Sequence, residues 1–379
     1  MENNLVLYRK YRPKNFSEVV GQEHVVRTLT NAISSGLISH AYLFAGPRGC
    51  GKTTIARLLA KSLNCENRKP ASPDEGARRG GKEQFEPCNK CSSCLEINEN
   101  RAIDLIEIDA ASNRGIDDIR ELREGIRFAP TKSKYKVFII DESHQLSKDA
   151  ANALLKTLEE PPSHVIFILA TTELHKMIPT IISRCQRFDF RKLTSSEIVS
   201  GLAEIVKKEG ADIERPALEL IALNSEGSLR DALGTLNQVI TFGGKTADDI
   251  KELLGMVDIA LVSQFVDYLC DKKGGAAIEF LNNTLEKGKD PREFTEALIN
   301  YLRQSLILKI SPNLTNPVLT GLSAEEQNKL RSQVEKWQEP SLRMAVKLFL
   351  DAENKMRYSP IPQLPLELAV IEILKMGEK

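Results

Sequence analysis

The apolar run Ala41-Tyr42-Leu43-Phe44-Ala45 leads directly into Gly46-Pro47-Arg48-Gly49-Cys50-Gly51-Lys52-Thr53, the G-x-x-x-x-G-K-[ST] pattern of a phosphate-binding loop. This junction constrains the fold more than any other stretch. A buried strand has to end at Ala45, a glycine-rich turn has to wrap an anion with backbone N–H groups, and a helix has to begin at its far side. The spacing therefore predicts a helix over 53–63, with Thr54 in its first turn. Lys52 is expected to bridge the outer phosphates of a bound nucleotide and Thr53 to hold magnesium. A strand feeding a helix in this way belongs to a parallel sheet covered by helices.

Further short apolar runs at 105–108, 137–140 and 165–170 have the length and turn-bounded character of buried strands, so residues 1–188 read as one α/β nucleotide-binding domain. The run at 137–140 ends in Asp141-Glu142. Asp141 can position magnesium through its water shell, and Glu142 can orient or deprotonate an attacking water, so the pair argues for hydrolysis and not binding alone. Ala170-Thr171-Thr172 ends the next run, and Thr171 is the expected reader of the γ-phosphate or its water. Arg184, in Ser183-Arg184-Cys185, and Arg230, in Gly227-Ser228-Leu229-Arg230-Asp231, receive no role from spacing alone. His40, His164 and His175 stand singly and read as structural. His144, after Asp141-Glu142-Ser143, is similar to helicase boxes without making the chain a helicase.

Cys65, Cys88, Cys91 and Cys94 follow the loop within one polar segment. Two Cys-x-x-Cys steps sharing Cys91, with a distant fourth thiol, supply the four thiolates of a closed structural zinc site, so a zinc module is expected over 65–94. Cys50 lies at a variable loop position, and Cys185 reads as packing. Between Cys65 and Cys88 the prolines and glycines suit a flexible excursion held at its base. The first residues lack a signal peptide's basic start and apolar stretch, so a cytoplasmic protein with reduced or metal-bound thiols is expected. No apolar run approaches the roughly 20 residues of a membrane span.

Lysine plus arginine equal aspartate plus glutamate, 52 against 52, so no net field draws the molecule to nucleic acid. Any DNA contact has to use a local patch, for which residues 8–14 and the loop bearing Arg68, Lys69, Arg78, Arg79 and Lys82 are candidates. The 379-residue length suggests more than one core. Three domains are expected. After 1–188 comes a small helical domain over 189–243, with helices at 195–209, 215–224 and 228–241 and Gly243-Gly244 as its end. An all-helical oligomerisation domain over 244–379 follows, with breaks near 274–275, 311–312 and 359–360.

These motifs together, with Tyr8-Arg9-Lys10-Tyr11-Arg12-Pro13 and Phe16, and with Val19-Val20-Gly21-Gln22-Glu23-His24, closely resemble the bacterial DNA polymerase III gamma/tau family, AAA+ ATPases of the sliding-clamp loader. The resemblance spans nearly the whole chain. It implies an AAA+ P-loop domain with an inserted zinc module, a helical lid and an all-α collar, binding ATP, Mg²⁺ and Zn²⁺. It also implies an adenine and ribose pocket lined by Tyr8, Arg9, Arg12, Pro13, Val20 and Gly21, an arginine finger Arg184 acting on a neighbouring subunit's ATP, and a lid sensor Arg230. The implied partners are the delta and delta-prime subunits, other gamma/tau copies, the beta clamp and primed DNA, in a hetero-oligomer, a pentamer, away from any membrane.

Asn113 and Arg114, in Ala110-Ala111-Ser112-Asn113-Arg114-Gly115, would hold DNA phosphates. By the same resemblance the chain belongs to a DNA-directed DNA polymerase holoenzyme, a nucleotidyltransferase, without polymerase chemistry of its own. A non-hydrolysing scaffold subunit and a DNA-translocating motor are the rival expectations. The chain stops soon after the third domain, so the tail of longer tau-type subunits is expected to be missing, as in a gamma-type product or a shortened chain.

Overall fold

The apolar runs form parallel strands: β1 (Ala41–Ala45), β2 (Leu105–Asp109), β3 (Lys136–Asp141) and β4 (Val165–Thr171). In the computed structural model, which describes residues 6–67, 85–112, 125–126, 128–255, 257–311 and 324–375, these pair with β5 (Gln186–Asp189) in the order β2-β3-β4-β1-β5. β1 and β4 are central and buried at every residue, whereas β2, at one edge, is only part-buried. The sequence pattern does not announce β5. As the other edge strand it buries only Phe188 and exposes Gln186, Arg187 and Asp189, so it carries no apolar run.

Alternation along each strand sends side chains to two separate cores. Tyr42 and Phe44 join Val25, Leu29, Ile33, Ile55 and Leu59 on one face, while Leu43, Phe138, Phe167 and Leu169 meet Ala151, Leu154 and Leu158 on the other. The covering helices, in chain order after the short α1 (Leu7–Lys10), are α2 (Glu23–Ser35), α3 (Lys52–Leu63), α4 (Ser92–Asn98), α5 (Lys148–Glu159) and α6 (Pro179–Ile182). A helical layer follows: α7 (Ser195–Glu209), α8 (Arg215–Asn224) and α9 (Leu229–Phe242). α7 opens with a Thr194/Glu197 capping box, and Ser228 caps α9 by accepting the Asp231 N–H.

The chain divides into two compact units, Met1–Gly243 and Gly244–Lys379, and the first contains both the sheet and the residues of the helical layer. In the second unit the described residues form α10 (Ala247–Leu253), α11 (Ile259–Cys270), α12 (Gly274–Glu286), α13 (Pro291–Ile310), α14 (Ala324–Lys336), α15 (Glu339–Met356) and α16 (Leu364–Lys375). The expected break near 274–275 falls just before Gly274, which opens α12, and a further break around Gly288 separates α12 from α13. The core of this unit gathers Phe265, Phe294 and Phe349. Within it Tyr301 donates to Gln333 Oε1 at 2.6 Å, and Gln333 Nε2 donates to Ser263 O at 2.8 Å, so the buried polar groups are paired.

Candidate nucleotide site and cysteine centre

α3 starts where the glycine-rich turn reverses the chain: Gly49 and Gly51 have φ of 72° and 103°. A side chain at Gly49 would collide with Ser228 Oγ, the cap of α9, so glycine here lets the helical layer close on the phosphate loop. Between them lies a cavity of about 570 Å³. Its wall includes Tyr8, Arg12, Pro13, Val20, Gly49, Cys50, Gly51, Lys52, Thr53, Thr54, Asp141, Glu142 and Arg230. Thirteen expected residues thus share one space. Arg9, Gly21, Gly46, Pro47, Thr171 and Arg184 lie outside that lining. Gly46 and Pro47 nevertheless present their carbonyls to Lys52 Nζ at 2.6 and 2.7 Å.

Thr53 Oγ1 donates to Asp141 Oδ2 at 2.8 Å, so the loop hydroxyl and the strand-end carboxylate converge although 88 residues apart. Two hard oxygens at this spacing beside a phosphate loop fit magnesium, which favours oxygen ligands and is usually held by few protein groups plus phosphates and water. Basic side chains at Arg12, Lys14, Arg48, Lys52, Lys208 and Arg230 face the same cavity. Burial, and then the like charge of Arg57, lower the Arg12 guanidinium below its ordinary pKa, a penalty that an anion would relieve. Arg230 stacks over the Tyr8 ring at 5.1 Å, and Val19, Leu193, Ile205 and Leu233 add apolar surface to a wall that also carries Ser17, Glu18 and Glu204.

Glu142 sits at φ 47°, ψ 42°, a left-handed conformation that non-glycine residues rarely adopt. Its Oε2 accepts from Thr172 Oγ1 at 2.8 Å and from Thr172 N at 3.3 Å. Thr171, the expected phosphate reader, is fully buried and turned to His144 Nδ1 at 3.0 Å; Thr172 is the residue that reaches Glu142. His144 also lies 3.5 Å from Glu142 and 3.6 Å from Glu173. The histidine after Asp-Glu-Ser was the available signal for this group. Thr171 completes the buried run of β4, and Thr172 is the first residue beyond it. Arg184 pairs with Glu159 at 2.7 Å and donates to Thr180 O at 2.8 Å. Asn113 and Arg114 and the basic residues between 68 and 82 fall outside the described residues.

The ligand sulfurs of Cys65, Cys88, Cys91 and Cys94 all lie within 4.8 Å of one another, with Cys88 Sγ 4.0 Å from Cys94 Sγ. A tetrahedral zinc with Zn–S near 2.3 Å sets its sulfurs about 3.8 Å apart, so the cluster fits that ion. Cys88 Sγ accepts the N–H groups of Lys90 and Cys91 at 3.4 and 3.3 Å. Burial alone would raise this thiol, but those N–H donors together with hydrogen bonds from the Cys91 and Cys65 thiols bring it down to about 6, while burial pushes the Cys65 and Cys94 thiols up.

Family models match in series: "DNA polymerase III, delta subunit" over 21–194, "DNA polymerase III clamp loader subunit, ATPase lid domain" over 197–245, and "DNA polymerase III subunits gamma and tau domain III" over 245–378. The chain is 44% identical over 375 residues to the DNA polymerase III subunit tau of Bacillus subtilis, covering 98% of this chain and 64% of that protein. It is 34% identical over 374 residues to the DNA polymerase III subunit gamma of Buchnera aphidicola, covering 98% of each. It therefore spans less than two thirds of the Bacillus relative and nearly all of the Buchnera one. Among solved structures, Thermotoga maritima RuvB is similar at 19% identity and a TM-score of 0.46, over 68% of this chain and 79% of that one, a likeness too loose to carry an argument. No described helix is long and apolar enough to cross a membrane. The near full-length match to a gamma subunit, with family models matching in order along the chain, shows that it belongs to the DNA polymerase III gamma/tau family.

Proposed function

We propose that this chain is an ATP-hydrolysing subunit of a clamp loader, which uses ATP binding and hydrolysis to open the beta clamp and load it onto primed DNA. The observation that carries the hydrolytic part is the 2.8 Å contact between Thr53 and Asp141, with Lys52 and Glu142 in the same cavity. Lys52, already held by two loop carbonyls, has a third N–H for a phosphate oxygen. Magnesium, held by Thr53 and Asp141, would offset charge on the outer phosphates. Glu142, released from Thr172, would take a proton from the attacking water. Arg230, on α9, would sense the nucleotide within its own chain. An intact hydrolytic set of this kind has no purpose in a non-hydrolysing scaffold.

Family membership supports the clamp-loading part, with delta, delta-prime and further gamma/tau copies as partners in a pentamer. We assign residues 1–188 to the motor, 189–243 to the lid and 244–379 to the collar. Arg184 would serve the neighbour's ATP, and the tetrathiolate module would hold zinc. Nucleotidyl transfer is assigned to the holoenzyme and not to this chain. The test is reconstitution with delta, delta-prime and clamp. ATPase should rise when clamp and primed DNA are both added; a rate indifferent to them would sink the proposal.

A further inference from the structure

Residues 12–14 and 17–20 line one wall of the cavity, and the segment's own secondary structure is a single short 3₁₀ turn, Phe16–Glu18, so something else has to hold it. The buried Phe16 ring anchors it in the core shared with Val25 and Leu29, and the cysteine module holds its backbone. Glu86, two residues before Cys88, accepts the Phe16 N–H at 2.8 Å on one carboxylate oxygen and the Ser17 N–H at 2.9 Å on the other. Asn89, between Cys88 and Cys91, donates to Asn15 Oδ1 at 2.6 Å and to Lys14 O at 3.3 Å. The rings of Phe16 and Phe85 lie 6.4 Å apart.

Behind these contacts is Lys61, a lysine only 2% exposed on the helix that leaves the phosphate loop. Its three ammonium protons have three partners: Lys14 O at 2.8 Å, Asn89 Oδ1 at 2.7 Å and Asn98 Oδ1 at 2.8 Å. Asn98 ends α4, which also carries Cys94. One buried charge therefore ties the cavity wall, the cysteine turn and the cysteine helix to α3. A buried ammonium persists only when so satisfied, which makes the junction intolerant of displacement. The wall so held carries the apolar Pro13, Val19 and Val20, suited to a base, beside the charged Arg12, Lys14 and Glu18.

We infer that the cysteine module is a positioning device for the nucleotide cavity, in which Glu86 and Lys61 set the wall that grips the base of a nucleoside triphosphate. The inference rests on the reading of the cavity as an ATP site. Glu86 and Lys61 are positioning residues; neither lines the cavity.

The test uses the full chain with Glu86→Ala and Lys61→Met. Four quantities are measured: zinc per chain, thermal melting, affinity for ATP against inorganic tripolyphosphate, and amide hydrogen exchange at Phe16 and Ser17. Both variants should keep zinc. Their ATP Kd should rise roughly three- to tenfold while tripolyphosphate affinity holds, and exchange at the two amides should quicken. Removing zinc from the wild-type chain should reproduce the same split. If Lys61→Met does not fold, Glu86→Ala decides, since that side chain is only half-buried. Unchanged ATP affinity in Glu86→Ala and in zinc-free wild type would overturn the inference while leaving the ATP site intact. So would ATP and tripolyphosphate affinities falling together. A wild-type chain that binds no ATP would remove the nucleotide reading, and this inference with it.

Discussion

Glu142 combines the two features expected of a working residue: a left-handed backbone and a side chain tied to Thr172 and close to His144. Strain of this kind persists only where its surroundings over-determine it, and here they are β3, the Thr171-Thr172 pair and a buried imidazole. Its division of labour with Lys52 is testable. Glu142→Gln should leave ATP affinity within about twofold and reduce turnover by roughly 10² to 10⁴, whereas Lys52→Ala should weaken ATP binding by about two orders of magnitude or more. Equilibrium binding and steady-state ATPase on the same preparations separate the two, and equal binding loss in both variants would refute the assignment.

At the scale of elements, the helical layer meets the sheet through few but well-paired groups. Buried Gln22, in a left-handed turn, donates to Arg191 O at 2.7 Å and accepts from Arg191 N at 3.2 Å, just after β5. Arg191 then pairs with Glu197 at the start of α7 at 2.6 Å. The hydrogen bond from Arg191 is the largest cause holding the Glu197 carboxyl down at about 2, from an ordinary 4.5. A depressed carboxyl stabilises the fold fully above its unfolded pKa and loses that contribution as pH falls through the folded one. Glu197→Gln should therefore be less stable than wild type by about 1 kcal/mol at neutral pH, a figure that allows for solvent screening. The gap should close between about pH 4.5 and about pH 2. Denaturant titrations across that range check it; a pH-independent gap would mean that the ion pair is not its source.

For the whole molecule, Arg184 raises the question of assembly. It lies outside its own chain's cavity lining and is held by Glu159 and Thr180. Arg184→Ala should leave the isolated chain's ATP affinity unchanged, yet slow the reconstituted assembly by roughly 10³ or more. ATPase rates of assembled and isolated protein decide the matter, since an unchanged assembled rate would rule out a role in trans. The cysteine centre belongs to this scale too. A zinc closed by these four thiolates would leave no position for substrate, so its effect on function would pass through the residues the module holds.

The strand–loop–helix of the phosphate site, the acidic strand end, the four-thiol centre and the run of amphipathic helices are all written in the residue order. Each of these is written locally, in spacings of a few residues set by strand and helix periodicity and by ligand geometry. Packing between distant segments sets the rest. β5 went unread because an edge strand of charged residues carries no apolar run. Thr172 meets Glu142 and Thr171 meets His144 because the ends of β3 and β4 lie side by side in the sheet. Glu86 and Lys61 were invisible because their partners lie 70 and 47 residues away, at Phe16 and Lys14. Hydrogen bonds over such separations follow no sequence period; they exist only once the helix leaving the phosphate loop and the cysteine turn have packed around the same short segment.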